Sequence, residues 1–386
     1  MFSTVIAGAS IIDGTGRPRF STDLALAGDR IARIGDCSTI DAPMHIDARG
    51  KILAPGFINT CAFADNAGRS LPPFNSASAQ GITSEILVEE SGSFREIVQL
   101  RDYGRELLDA LDETIDAAQR AGVPVHVAHL HGEGRDSRAN VERALERIDR
   151  ARTRGLDITC DVYPYIATWI ELASLLPSTP EIAAYDDERI AAAAAMEMTA
   201  RLGDRWHDLM LAEVSSEERY AWVGMRFDEI ARQMRLGAAR AVIEFVRLDG
   251  ARARAFYFCT DEPAVATVLS AGFCTIGTAA AARSFNDERY GLVHPRTFGT
   301  FPRVIGRFVR QRRILSLEDA VARMTGRAAL AFGLPDAGAL RVGARADLVL
   351  FDETAFVDTA TYERPVLAPL GLKSVWVAGK ALGGWV

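Results

Sequence analysis

The chain has 386 residues, 48% hydrophobic and 25% charged, an ordinary globular composition with room for one large domain and a small one. Its net charge of −7 comes from 44 basic and 51 acidic residues that are well mixed, with no lysine or arginine run to suggest nucleic acid as a partner. No apolar run reaches the ~18 residues of a membrane helix, and the start "MFSTVIAGAS" shows no basic leader ahead of an apolar core, so neither membrane insertion nor secretion is expected.

The first 50 residues alternate short apolar runs with Gly-Asp turns ("STVIAGASIID", "TDLALAGDRIARIGD"), the pattern of antiparallel strands. The other end repeats it in "RADLVLFD" and "KSVWVAGKALGG". Neither end has enough strands for a stable sheet alone, so residues 1–50 and 341–386 are expected to form one small β-sandwich. Residues 52–58 read as a buried strand entered through Pro55 and Gly56, and "GITSEILVE", "FREIVQL", "VPVHVAHLH", "LDITCDVYPY", "ARAFYFCTD" and "GFCTIGTAA" follow as strands. Helical stretches alternate with several of them: "GRELLDALDETIDAAQRAG", "RANVERALERIDRARTRG" and "EPAVATVLSAG". This alternation predicts an α/β fold over residues 51–340 with seven parallel strands, one short of a (β/α)8 barrel. The missing unit is placed between Ser84 and Arg101, where two strand signals follow each other with no helix. The five cysteines (Cys37, Cys61, Cys160, Cys259, Cys274) are scattered, odd in number and without a CxxC pair, which predicts reduced thiols in a cytoplasmic protein.

Reactive residues of a parallel barrel lie at the C-terminal ends of its strands. In chain order these are Asn59, Cys61 and Phe63; Glu89 and Glu90; Arg101 and Asp102; His126, His129, His131 and Glu133; Thr159, Cys160, Asp161, Tyr163 and Tyr165; and Thr278, Ala279 and Ala280. After the last comes "HPRTFGTFPR", with His294, Arg296 and Arg303. His129 and His131 share one strand face by alternation. Asp161 beside histidines at a barrel mouth suits a general base, although Tyr163-Pro164-Tyr165 could equally serve only to shape a turn. Cys61 and Cys160 read as small apolar filler first, and as nucleophiles second.

These motifs resemble the amidohydrolase superfamily and, within it, the N-acyl-D-amino-acid deacylase (D-aminoacylase) branch. "APGFIN", "GITSEI", "RDYGRELLDALDETI", "VPVHVAHLHGEG", "DVYPY", "HPRTFGTFPR", "LSLEDAVARMTGRAALAFGL" and "GALRVGARADLVLFD" carry the resemblance in order along nearly the whole chain. It implies a metal-dependent TIM-type barrel plus a β-sandwich from both termini, and a hydrolase acting on a small amide. By resemblance, the His-x-His of the first strand is Cys61 and Phe63, the metal-binding histidine survives as His129, the lysine two residues on is His131, and the final catalytic aspartate is Ala279. The bridging ligand falls at Glu89 or Glu90, a sixth-strand histidine near Thr159, and a histidine before the "RDYG" arginine at Gln99. A two-metal centre is therefore not expected. A single zinc on His129 with Glu89 or Glu90, or no metal at all with His129, His131 and Asp161 as acid–base groups, remain as alternatives. Arg101, Tyr163, Tyr165, His294 and Arg296 are expected to bind a substrate carboxylate. A non-catalytic binding or scaffold relative is the other reading, and a homo-oligomer is left open.

Overall fold

The computed structural model describes residues 1–64, 71–88, 95–100, 107–134, 136–177, 181–250, 252–286 and 291–384. The N-terminal strands are β1 (Thr4–Ile11), β2 (Phe20–Ala27), β3 (Arg30–Ile34), β4 (Met44–Asp47) and β5 (Ile52–Pro55). Parallel strands follow: β6 (Phe57–Ala62), β7 (Ile82–Leu87), β8 (Glu96–Gln99), β9 (Val125–Ala128) and β10 (Ile158–Val162). Next come β11 (Thr168–Glu171), β12 (Leu209–Glu213), β13 (Arg254–Tyr257) and β14 (Cys274–Ile276), and the C-terminal end supplies β15 (Leu348–Phe351), β16 (Leu372–Val377) and β17 (Lys380–Gly384).

Strands from the two ends of the chain share one eight-stranded sheet, in the order β17-β16-β15-β5-β1-β2-β3 with β4 beside β1. The expected strand over residues 52–58 is in fact two. Ile52–Pro55 pairs with β1 and β15 in this terminal sheet, and Phe57–Ala62 pairs in parallel with β7. Gly56 makes the switch because a Cβ there would lie 2.2 Å from Thr83 Oγ1. The apolar run is continuous across both strands, so periodicity alone could not divide it.

A second sheet is a parallel set. β8, β9, β10 and β14 lie side by side in the order β14-β10-β9-β8. An isolated parallel bridge, Ala62 to Ala280, connects the end of β6 to the segment after β14. Helices α1 (Leu107–Ala121) and α2 (Ser137–Thr153) cover this sheet. In α2, Val141, Ala144, Ile148 and Ala151 form the buried stripe that a 3.6-residue period predicts. At the junction of the two sheets Phe57 is fully buried, stacked on Phe301 with centroids 5.6 Å apart and packed against Phe351 and Phe356. Burying one such side chain contributes about 1.5–3 kcal/mol.

"ARAFYFCTD", expected among the parallel strands, is instead the central strand β13 of an antiparallel sheet with β11 and β12. With helices α3 (Glu188–Leu202), α4 (Phe227–Met234) and α5 (Ala238–Asp249) it encloses a separate core around Phe227, Phe245, Trp206 and Leu211. A short helix, α6 (Glu262–Ser270), returns the chain to β14, capped by the Asp261 side chain, which accepts the Ala264 N–H at 2.8 Å. After β14 the chain passes His294-Pro295 into α7 (Arg296–Arg303), with α8 (Leu317–Met324) and α9 (Gly326–Ala331) beyond. Among the described residues, no helix is long and apolar enough to cross a membrane.

Candidate active site

The ends of β6, β9, β10 and β14 converge on one carboxylate. Asp161, near the end of β10, is fully buried. Its Oδ1 accepts the backbone N–H of His129 at 2.9 Å, and its main-chain oxygen accepts the next N–H, that of Leu130, at 2.8 Å. Its Oδ2 takes the Nε2 proton of His126 at 2.7 Å, while His126 Nδ1 meets Thr159 Oγ1 at 2.8 Å. Gly277, just past β14, leaves the space for this arrangement: a Cβ there would sit 2.6 Å from Asp161 Oδ1 and 2.7 Å from the Cys61 Cβ.

His129 leaves β9 with φ at +41°, a left-handed conformation that few non-glycine residues adopt. The turn aims its ring at Gln99, whose Oε1 accepts from Nε2 at 3.1 Å. Ala279 adopts a similar φ of +46° and donates its N–H to the Cys61 carbonyl at 2.8 Å.

An aromatic wall runs beside His129. His131 stacks on Tyr163 with centroids 4.1 Å apart, donates Nδ1–H to the His129 carbonyl at 2.9 Å, and places Nε2 3.3 Å from the Tyr163 carbonyl. On the same tyrosine ring the Arg296 guanidinium stands 4.6 Å from the centroid, a favourable cation–π distance. His294 holds that arginine's backbone: its Nδ1 accepts the Arg296 N–H at 3.0 Å, and its Nε2–H donates to the Ala167 carbonyl at 2.8 Å. Arg303 donates to the Pro164 carbonyl at 2.7 Å and pairs with Asp358 at 3.0 Å, which fixes the Tyr-Pro-Tyr turn from outside. Burial, with Asp358 close by, pushes the Tyr165 phenol well above its ordinary value, so it stays neutral.

Three of the positions where the resemblance expects a metal donor or the catalytic aspartate, Cys61, Phe63 and Ala279, lie in an apolar cluster. Cys61 and Ala279 pack with Val88, Ala128, Tyr163 and Tyr165, and Phe63 lies against them. Thr159 is engaged by His126. Among the described residues no three His, Cys, Asp or Glu side chains come together as a metal cage. The donors nearest the mouth are committed to one another: Asp161 to His126 and His129, and His126 to Thr159. Among the described residues, this donor set does not fit a metal pair. Cys160 stands opposite Cys274 on the neighbouring strand. The hydrogen bond that Cys160 makes to Cys274, followed by burial, pushes the Cys160 thiol well above the ordinary value, which disfavours a thiolate nucleophile at neutral pH.

The sequence-predicted residues therefore divide into groups. His129, His131, Tyr163 and Arg296 come together at one mouth. Asp161 is there too, fully buried, with Oδ1 on the His129 N–H and Oδ2 on His126. Tyr165 and His294 are buried: Tyr165 directs its hydroxyl to Asp358 at 3.4 Å, and both ring nitrogens of His294 meet backbone groups. Glu89, Glu90 and Arg101 lie outside the described residues. Sequence reasoning gave His126 no role because it sits on the opposite strand face from His129. Its register partner Thr159, across the parallel pair, was the available signal. Gly277 could have been found as an isolated glycine ending a strand, a mark of close approach.

Residues 96–382 match the amidohydrolase family, and the chain belongs to it. Its curated relatives lie in the D-aminoacylase branch. N-acyl-D-glutamate deacylase of Alcaligenes xylosoxydans xylosoxydans is 28% identical, covering 98% of this chain and 93% of that protein. D-aminoacylase of the same organism is 26% identical, covering 98% and 94%. Both alignments run over more than 490 positions against 386 residues here, so each relative has a large number of positions without a counterpart in this chain. Among solved structures, N-acyl-D-glutamate deacylase from Bordetella bronchiseptica, complexed with zinc and a phosphonate inhibitor, superposes with a TM-score of 0.78 at 22% identity over 99% of this chain and 96% of that one. A D-aminoacylase structure gives 0.78 at 22% identity over the same shares. At these identities the superpositions speak for the fold.

Proposed function

We propose that this chain is a D-aminoacylase-like amidohydrolase that takes a small N-acylated amino acid or related amide bearing a carboxylate, and that it works with at most one metal ion. The observation that carries this reading is the grouping of His129, His131 and Arg296 around the Tyr163 ring. A guanidinium held over an aromatic face offers a carboxylate two parallel N–H donors. Arg296 then anchors the substrate. His129, with its Nε2 on Gln99 Oε1 at 3.1 Å beside the Tyr163 ring, is the group of this set suited to move a proton. In this scheme His129 takes a proton from water as it attacks the amide carbonyl and returns it to the leaving nitrogen. His131 donates to the His129 carbonyl and stiffens the turn. The other arm is a single zinc held by His129 with Glu89 or Glu90.

His129→Ala distinguishes these arms when assayed for amine release from N-acetyl D-amino acids, with elemental analysis of chelator-free protein alongside. Loss of activity at unchanged, near-zero metal content supports the acid–base reading. Loss of activity together with one equivalent of zinc supports the zinc arm. The apolar packing of Cys61, Phe63 and Ala279 favours a second reading, a non-catalytic binding protein. Wild-type and variant proteins that bind carboxylate ligands alike, with no amine release from either, would establish that reading and end the enzymatic one.

A further inference from the structure

We propose that Asp161 is a positioning residue, held by His126, that fixes the left-handed turn presenting His129 at the mouth. The functional half of this proposal rests on His129 acting in catalysis as argued above; the structural half does not. Two successive backbone N–H groups, those of His129 and Leu130, end on one residue, Asp161, through Oδ1 at 2.9 Å and the main-chain oxygen at 2.8 Å. Without such anchors a non-glycine residue leaves φ of +41° for the extended or right-handed region, and strain of this kind persists only where surroundings over-determine it.

The carboxylate cannot rotate away from His129, because its other oxygen is bonded to His126 Nε2 at 2.7 Å and His126 is in turn held by Thr159 at 2.8 Å. On the third side the absence of a side chain at Gly277 is what lets Oδ1 occupy its place. All of these groups are buried: His126 and Asp161 are fully covered, and His129 is 6% exposed. The chain His126–Asp161–His129 thus runs from the interior of the parallel sheet out to the ring that faces Gln99 and Tyr163.

The geometry also gives Asp161 and Asn different consequences at this position. An asparagine keeps a carbonyl oxygen for the His129 N–H and turns an amide NH2 towards His126, which answers by exchanging its ring tautomer and donating to Thr159. An alanine removes the acceptor altogether. A merely space-filling role would make the two substitutions alike, or rank them only by volume.

The test uses full-length protein labelled with 15N at its histidines, with the His129 amide signal assigned by its loss in His129→Ala. In Asp161→Ala the His129 amide is expected to shift strongly upfield as its acceptor disappears, whereas Asp161→Asn leaves it near its wild-type position. In the amine-release assay, Asp161→Ala is expected to lower kcat about 100-fold with little change in KM, the size of effect that an ångström-scale misplacement produces, and Asp161→Asn is expected to recover most of it. A His129 amide that stays in place in folded Asp161→Ala overturns the proposal. If wild-type protein releases no amine, the amide shift still decides the positioning role while the catalytic reading fails separately. If Asp161→Ala does not fold, the double variant Asp161→Ala/His129→Gly decides, because glycine adopts positive φ without strain. Recovery of the fold in the double variant supports the clamp, and failure to recover it assigns Asp161 to the core instead.

Discussion

Gly277→Ala probes the packing of the site with a single added methyl group. The built Cβ would lie 2.6 Å from Asp161 Oδ1 and 2.7 Å from the Cys61 Cβ, closer than a Cβ approaches non-bonded atoms in folded proteins. Neither neighbour is the loose end of a flexible chain: both residues are fully buried and sit on paired strands. Overpacking of a tight interior by one methylene-sized group typically costs about 1–3 kcal/mol. Against this, alanine restricts the unfolded chain and so favours folding by about 0.4–1 kcal/mol where the native backbone suits it. Overpacking outweighs the entropic gain, leaving a net loss of about 1–2 kcal/mol. The loss rises further if relief comes by pushing Asp161 off the His129 N–H, since a hydrogen bond to a charged group is worth about 1.5–3 kcal/mol. Urea denaturation followed by far-ultraviolet circular dichroism reads this as a lower midpoint at unchanged slope. A Gly277→Ala protein as stable as wild type, or more so, would refute the close packing of Asp161, Cys61 and residue 277 and with it the geometry assigned to the site.

Other perturbations test separate parts of the structure. Arg296→Lys keeps the charge but loses the planar fork over Tyr163, so the affinity for a carboxylate ligand, measured by calorimetry, should fall about tenfold or more; unchanged affinity would remove Arg296 as the anchor. Phe57→Ala deletes a fully buried ring stacked on Phe301 and should cost about 3–5 kcal/mol in the same denaturation assay. Lys51 donates to Asp352 at 2.6 Å across the terminal sheet and, with Thr354, holds that carboxylate well below its ordinary value. A carboxylate depressed in the folded state stabilises above its unfolded pKa of about 4, and the benefit disappears as pH falls through the folded value. Lys51→Met should therefore lower stability by up to about 1 kcal/mol at pH 7, with the gap to wild type closing as the pH drops below about 4; a gap independent of pH would exclude the pairing as its cause.

The parts of this molecule legible in the sequence are those where one period runs long enough to dominate. The stripe of α2, the strand pattern at both ends and the strand-helix alternation from β9 to β10 each repeat a single spacing. Where the chain changes partners inside one apolar run, as at Gly56, composition does not change and the boundary is invisible. β13 is misread for the same reason: its buried, aromatic-rich residues suit an antiparallel centre as well as a parallel one. Strands β11 and β12, which decide the matter by flanking it, carry only four and five residues each. At the site, His129 and His131 stand out because three histidines fall within six residues, but their spacing could not show that the chain turns left-handed at His129 and that the strand alternation stops there.

That turn bears on what the site has become. In a regular strand His129 and His131 would project side by side. With His129 at φ +41° the two rings separate, one facing Gln99 and the other lying on Tyr163. Beside them Cys61, Ala279, Ala128, Tyr163 and Tyr165 pack in one apolar cluster. Side chains of this kind give no carboxylate or imidazole to a cation, and each lowers the local capacity to solvate charge. Arg296 is buried beside this cluster, with its guanidinium over the face of Tyr163. Restoring donors tests whether the apolar cluster alone excludes a metal: Cys61→His, Phe63→His and Ala279→Asp together place three ligating side chains around it. Uptake of at least one more equivalent of zinc by the triple variant than by the wild type in the same dialysis would show that these substitutions control the site. Failure of a folded triple variant to bind zinc would mean that the left-handed turn at His129 and the surrounding backbone have also moved away from a metal-binding geometry.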